Sequence, residues 1–147
     1  MSFLIDWVLI NELAVGKGPK TSNDLASLKK LNINSILSLC SEDECKPAPE
    51  MEKNFCCRRI ILPDHKARRD PNIEEINIAL EALNYLISKG PTFVHCVASI
   101  ERSPLICMSY LIKKCNLTPL EALDYLMEVH PISNPLPGQF AILKKLK

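Results

Sequence analysis

Net charge is almost absent from this chain. In 147 residues, 18 lysines and arginines stand against 17 aspartates and glutamates, a formal balance of +1. A surface for nucleic acid or anionic membrane needs a field of one sign, and nothing global supplies it. Neither partner is therefore expected. Neither a leader nor a membrane span is expected. The opening MSFLIDWVLI is apolar, but it holds Asp6, has no basic residue ahead of the apolar run and is too short to cross a bilayer. A cytoplasmic location is the expectation. A disulfide framework is a third absence, because seven cysteines is an odd number and no secretory leader precedes them. Cys40, Cys56, Cys57 and Cys107 lie in apolar surroundings and read as small buried hydrophobes. Four residues separate Cys40 from Cys45, but no CxxC pair or HxxxH follows to complete a zinc site, so no metal is expected. There is no internal repeat and no long linker. A chain of this length buries a core without staples, and residues 1–147 read as a single domain.

What is present alternates between strand-like and helix-like segments. Val8 to Val15 reads as one or two short strands. Ser22 to Leu31 reads as a helix with Thr21 or Ser22 as N-cap. NSILSLC, 34–40, is a short apolar run after a polar turn, hence a strand. SEDECKPAPE, 41–50, is polar and proline-bearing, hence a loop. CCRRIILP, 56–63, reads as a strand stopped by Pro63. From Asn72 to Ser88, Ile73, Ile76, Leu80, Leu83 and Ile87 recur at intervals of three and four and share one helical face. Lys89-Gly90-Pro91 ends that helix, and residues 92–95 form a β-type run. Ser103 to Lys114 reads as a helix. Thr118-Pro119-Leu120-Glu121 is a capping box with proline at the first helical position, opening a helix to about Val129. Gln139 to Leu146 is a last short helix. Such alternation implies an α/β domain with a mostly parallel central sheet flanked by helices on both faces. In such sheets ligands bind beyond the carboxyl ends of the strands, which is where His95 ends a strand.

The stretch that follows, VHCVASIERSP (94–104), is built for an anion. If the loop after Cys96 curls back, the backbone N–H groups of Val97, Ala98, Ser99, Ile100, Glu101 and Arg102 form a cradle at the start of the next helix. The helix terminus adds about half a positive charge. Arg102 adds a full one, in a fork that grips two oxygens. Cys96 then lies at the cradle floor, where positive potential favours a thiolate, and a thiolate is a nucleophile. On a phosphate monoester the product is a phosphocysteine. Ser103 is placed to hydrogen-bond the sulfur as it leaves in the second step, and His95 reads as an orienting residue behind the loop. The leaving oxygen needs an acid. Asp64 in ILPDHKARRD is the first candidate, at the start of a polar loop after a strand; His65 is the second.

VHCVASIERSP resembles the HCxxGxxRS signature of cysteine-dependent protein tyrosine phosphatases, and the short chain resembles their small dual-specificity branch. The likeness runs over nearly the whole chain. DWVLINELAVGKGP is similar to the branch's opening strands, and LKKLNINSILSLCSEDE to its helix and second strand. ISNPLPGQF, 132–140, echoes the turn before the last helix. Asp64 lies 32 residues before Cys96 (96 − 64), near the branch's acid-to-nucleophile spacing. The resemblance implies Cys96 as nucleophile, Arg102 as phosphate clamp, Ser103 as thiolate partner and Asp64 as acid, with no metal or cofactor. The signature glycine falls on Ser99. A serine in the left-handed conformation that glycine adopts costs on the order of 1 kcal/mol.

Phosphorylated proteins are the expected partners. Tyrosine-only relatives are longer and build a deep pocket. A shallow one admits phosphoserine and phosphothreonine besides phosphotyrosine. VASIE holds no lysine and one acid, Glu101, which ranks polyphosphorylated lipids and inositols lower. Glu101 is either solvent-facing or paired with Lys66, Arg68 or Arg69 to tether the acid loop. Two other readings stay open. One is a pseudophosphatase that holds phosphorylated partners, suggested by Ser99; the other is a phosphatase for a non-protein ester such as an RNA 5′ end, a sugar phosphate or a lipid. A monomer is expected.

Overall fold

The computed structural model describes residues 3–146. Its centre is a five-stranded sheet of β1 (Ile5–Leu9), β2 (Leu13–Gly16), β3 (Ser35–Ser38), β4 (Cys56–Arg59) and β5 (Thr92–His95), in the order β1-β2-β5-β3-β4. Four strands are parallel, and β1 runs antiparallel along the β2 edge. The helices are α1 (Ser22–Lys30), α2 (Met51–Asn54), α3 (Ile73–Lys89), α4 (Arg102–Cys115), α5 (Pro119–Val129) and α6 (Pro137–Leu143).

Alternation along the strands splits the core in two. Leu13, Val15, Leu37 and Val94 point into the larger cluster, with Ile76, Leu80, Leu83, Leu105, Met108, Leu126 and Leu143 from α3 to α6. Ala14, Ile36 and Phe93 point the other way, onto Leu25 and Leu28 of α1, Met51 of α2 and Phe55. Helices therefore cover both faces of a mostly parallel sheet, as the sequence implies. Helix α4 is the central one. Every side chain from Arg102 to Ile112 is buried, so burial on all sides fixes where its N-terminus lies.

Helix starts follow their caps. The Thr21, Asn72 and Thr118 side chains each accept the backbone N–H three residues on, with Asp24, Glu75 and Glu121 closing the boxes. Other boundaries differ from expectation. β1 starts at Ile5, not Val8, because Asp6 takes a ladder position opposite Val15. β4 stops at Arg59, before Ile60 to Pro63, because its partner β3 ends at Ser38. The chain still follows that exit through Ile60 N–H to Ser38 O (2.9 Å) and Leu62 N–H to Leu39 O (3.1 Å). Helix α2 has no side-chain cap, and its N-cap Glu50 is left-handed (φ 65°), so no cap signal announced it. Helix α6 starts at Pro137, two residues earlier than expected, and ends at Leu143. Cys40 and Cys107 are buried as expected, whereas Cys56 and Cys57 on edge strand β4 are only half-buried.

Candidate active site

β5 lies between β2 and β3 at the middle of the sheet, and its last residue, His95, hands the chain to the loop 96–101. The loop ends at the N-terminus of α4. No side chain caps that helix at Glu101, so its first-turn N–H groups are left for whatever sits in the loop. Cys96 is 3% exposed. Its Sγ lies 3.2 Å from Ser103 Oγ, so the expected thiolate partner is at hydrogen-bond distance for sulfur. Cys96, Val97, Ala98, Ile100, Glu101, Arg102, Asp64, His65, Lys66 and Glu44 line one open cleft of about 320 Å³. A larger hollow of about 480 Å³ beside Tyr110 and Asn84 contains no cysteine.

Ser99 adopts φ 65°, the left-handed conformation expected of the glycine it stands in for. It is fully buried, unlike Val97 and Ile100, which expose 41% and 38% of their surface at the rim. Of the predicted phosphate-loop residues, Ser99 alone turns its side chain into the protein with no exposure.

His95 sits behind the loop as an orienting residue would. Its Nδ1 is 2.9 Å from the Cys96 carbonyl and its Nε2 2.7 Å from Ser38 Oγ, and its ring stacks on Phe93. A carbonyl only accepts, so Nδ1 carries the proton and Ser38 donates to Nε2. Burial is the main cause that pushes the His95 imidazolium down to about 4; Arg59 and Arg102 add to it, while the Cys96 carbonyl opposes it. An unfolded chain would take up that proton near pH 6.5, so stability is present at pH 7 and lost as pH falls through the interval down to about 4. We expect unfolding free energy to drop by about 2 kcal/mol between pH 7 and pH 5 from this residue. Urea titrations at both pH values read it, and His95→Gln should flatten the slope. An unchanged slope would assign the loss to other groups.

Arg102 is 4% exposed and fully engaged on one side. Its Nη2 and Nη1 reach Glu44 Oε1 and Oε2 at 2.9 and 3.3 Å, and Nη1 also donates to the carbonyls of Leu39 (3.3 Å) and Leu62 (3.2 Å). Among the described residues these contacts leave Nε–H and the second Nη2 proton, the edge that suits a two-oxygen grip. Burial would raise the Glu44 carboxyl, but hydrogen bonds from Arg102 and Ser41 more than offset it and hold it below the usual range. Glu44 was read only as part of a polar loop. Its signal was Ser41-x-x-Glu44, a local reciprocal pair: Ser41 N–H donates to Glu44 Oε2 (2.8 Å) and Glu44 N–H to Ser41 Oγ (3.3 Å).

Asp64 opens a single 3-10 turn, His65–Ala67, and its Oδ1 accepts the Lys66 N–H (2.9 Å). Two contacts fasten this loop. Glu101 takes His65 Nδ1 (2.8 Å) and Gln139 Nε2 (3.3 Å), which corrects the expected pairing with Lys66, Arg68 or Arg69. Arg69 instead forms a double bond set with Glu75, at 2.7 and 2.9 Å. At the loop's far end, a Cβ on Gly138 would lie 1.9 Å from Asp70 Oδ2, so only glycine lets Asp70 close on α6. The segment after α5 braces the phosphate loop itself. Asn134 N–H donates to Ile100 O (2.8 Å), and the fully buried His130 reaches Ser99. Sequence reading missed His130, because nothing local marks a histidine just past a helix as a partner of a loop 31 residues away. The zinc idea at Cys40 and Cys45 finds no third ligand: among the described residues no group of three or more His, Cys, Asp or Glu is arranged to hold a metal.

Comparison with known proteins points one way. The family model of the dual specificity phosphatase catalytic domain matches residues 15–147. Phosphatidylglycerophosphate phosphatase PTPMT1 of Arabidopsis thaliana is 28% identical over 110 residues, covering 74% of this chain and 33% of that protein. Dual specificity protein phosphatase PHS1 of the same plant is 29% identical over 133 residues, covering 88% and 14%. The chain spans between 14% and 61% of the length of the first three curated relatives it matches. The crystal structure of PTPMT1 in complex with PI(5)P superposes with a TM-score of 0.82 at 21% identity, covering 97% of this chain and 93% of that one. Human tyrosine phosphatase-like serine/threonine/tyrosine-interacting protein superposes equally well, 0.82 at 22% identity, covering 96% and 93%. At those identities the two structures show a shared fold.

Proposed function

Since the chain belongs to the dual specificity phosphatase catalytic domain family, we propose that it hydrolyses phosphate monoesters through a phosphocysteine on Cys96, without a metal. The observation that carries this reading is the convergence of Cys96, Arg102 and Asp64 on one cleft at the α4 N-terminus, with Ser103 against the sulfur from behind. Cys96 Sγ attacks phosphorus while the bond to the leaving oxygen breaks. Arg102 and the loop amides hold the other oxygens as negative charge builds. Asp64 gives its proton to the leaving oxygen, then its carboxylate takes one from the attacking water. As the new O–P bond forms and the P–S bond breaks, the electron pair returns to sulfur, where the Ser103 hydroxyl donates to it.

Phosphoproteins are the first substrate reading, supported by a cleft of about 320 Å³ that opens to the surface at Cys96, Asp64 and Arg102. A phospholipid headgroup is the second. Relatives named phosphatidylglycerophosphate phosphatases favour it, as do the exposed apolar Val97 and Ile100 at the rim. Glu101, which argued against anionic lipids, has its charge shared with His65 and Gln139. In this reading the chain is one catalytic domain that acts in the cytoplasm as a monomer. The test is kcat/KM in EDTA on phosphotyrosine, phosphoserine and phosphothreonine peptides beside phosphatidylglycerophosphate in vesicles. Peptide turnover at least about tenfold above lipid supports the first reading, and the reverse supports the second. Tight phosphopeptide binding with no turnover would make the protein a phosphate-binding module.

A further inference from the structure

Beneath the phosphate loop lies a hydrogen-bond chain that joins three distant parts of the sequence. Asp6 Oδ2 on β1 is 2.6 Å from His130 Nδ1. His130 Nε2 is 2.8 Å from the Ser99 carbonyl and 3.0 Å from Ser99 Oγ. Ser99 Oγ is 3.2 Å from Ser103 Oγ, which is 3.2 Å from Cys96 Sγ. His130, Ser99 and Ser103 are each 0% exposed, and Asp6 reaches partial exposure at the outer end.

The direction of this chain follows from its two fixed acceptors. The Asp6 carboxylate and the Ser99 carbonyl can only accept, so both His130 nitrogens carry protons and both donate. Ser99 Oγ, accepting from Nε2, turns its own proton to Ser103 Oγ. Ser103, accepting from Ser99, has one acceptor left for its proton, and that is Cys96 Sγ. A helical serine ordinarily donates back to the carbonyl four residues earlier, as Ser109 does to Leu105 at 2.8 Å in the same helix. For Ser103 that carbonyl belongs to Ser99, where His130 Nε2 lies at 2.8 Å, and the Ser103 hydroxyl sits instead against Ser99 Oγ and Cys96 Sγ.

We propose that Asp6, His130 and Ser99 form a positioning relay that aims the Ser103 proton at Cys96 Sγ, so that the serine in the glycine position is a working part of the site. The inference rests on the phosphocysteine reading above. Ser103 acts when sulfur leaves phosphorus, so the relay bears on hydrolysis of the phosphoenzyme more than on its formation. None of its three members touches the substrate except through the Ser99 backbone.

Ser99→Gly discriminates sharply. If Ser99 is only a strained substitute, glycine relieves φ 65° and the variant should be equally fast or faster. The relay predicts the reverse. Stopped-flow release of para-nitrophenol should show phosphoenzyme formation nearly unchanged, steady-state kcat lowered about tenfold, KM lowered in parallel and a burst approaching one equivalent of enzyme. Asp6→Asn, at a partly exposed side chain, should show the same pattern more weakly. Independently of turnover, carboxymethylation of Cys96 by iodoacetate at neutral pH, followed by peptide mass spectrometry, should slow about three- to tenfold in Ser99→Gly. Equal or faster turnover with no burst, or an unchanged alkylation rate, would overturn the relay. A wild type that turns over nothing yet shows the alkylation difference would sink the phosphocysteine reading and leave the relay standing.

Discussion

Cys96→Ser is expected to lower kcat by about 10⁴-fold or more, while inorganic phosphate or vanadate continues to bind. A serine oxygen is close in size to sulfur and leaves the loop, Arg102 and the helix terminus in place, so the cradle survives. The nucleophile does not. A hydroxyl holds its proton at neutral pH, and among the described residues no base stands beside position 96: its neighbour at 3.2 Å is Ser103 Oγ, itself a hydroxyl. His95 is turned away, with Nδ1 on the Cys96 carbonyl and Nε2 on Ser38. Steady-state rates with isothermal titration of phosphate separate the two quantities. Loss of both together would mean that the residue maintains the fold of the loop. Loss of neither would remove Cys96 from the chemistry.

Asp64→Asn carries the second large effect. It should lower kcat/KM by about 10² to 10⁴-fold on alkyl and phosphopeptide esters, whose leaving oxygens need a proton. For para-nitrophenyl phosphate, whose leaving group is far less basic, the loss should be much smaller. The difference between substrates is the informative quantity, because an asparagine keeps the size of the side chain and one oxygen to accept the Lys66 N–H that now binds Oδ1. Rates across aryl phosphates of graded leaving-group basicity should steepen in the variant. An equal drop on every substrate would point to a loop displaced from the cleft, and His65 would become the acid to test. His65 is the weaker choice on geometry, since its Nδ1 is held 2.8 Å from Glu101.

Much of the site was legible because its parts are contiguous. Strand, cysteine, loop, arginine and helix follow one another within 92–115, and local order suffices to place Cys96 against Ser103 and Arg102 beside the loop. The capping boxes at Thr21, Asn72 and Thr118 are likewise local, and the helices start where they say. Contacts between remote segments were another matter. Glu44 grips Arg102 across 58 positions and Asp6 meets His130 across 124; only the packed sheet and helices bring them together. The end of β4 was misread for the same reason, since its length is set by β3. Glu101 reads in the sequence as either solvent-facing or a tether to Lys66, Arg68 or Arg69, and its pairing with His65 instead depends on how the 3-10 turn after Asp64 presents each side chain. Ser99 was recognised as a departure from the signature. That its hydroxyl has partners on both sides is visible only with His130 and Ser103 in place.

The most direct test of the central claim is to quench wild-type protein in acid during turnover of para-nitrophenyl phosphate in EDTA and to map the digest by mass spectrometry. A phosphoryl group on the peptide containing Cys96, formed and consumed at the turnover rate and absent from Cys96→Ser, is the predicted result. Steady metal-free turnover with no phosphoryl group on that peptide, or full turnover by Cys96→Ser, would contradict the account.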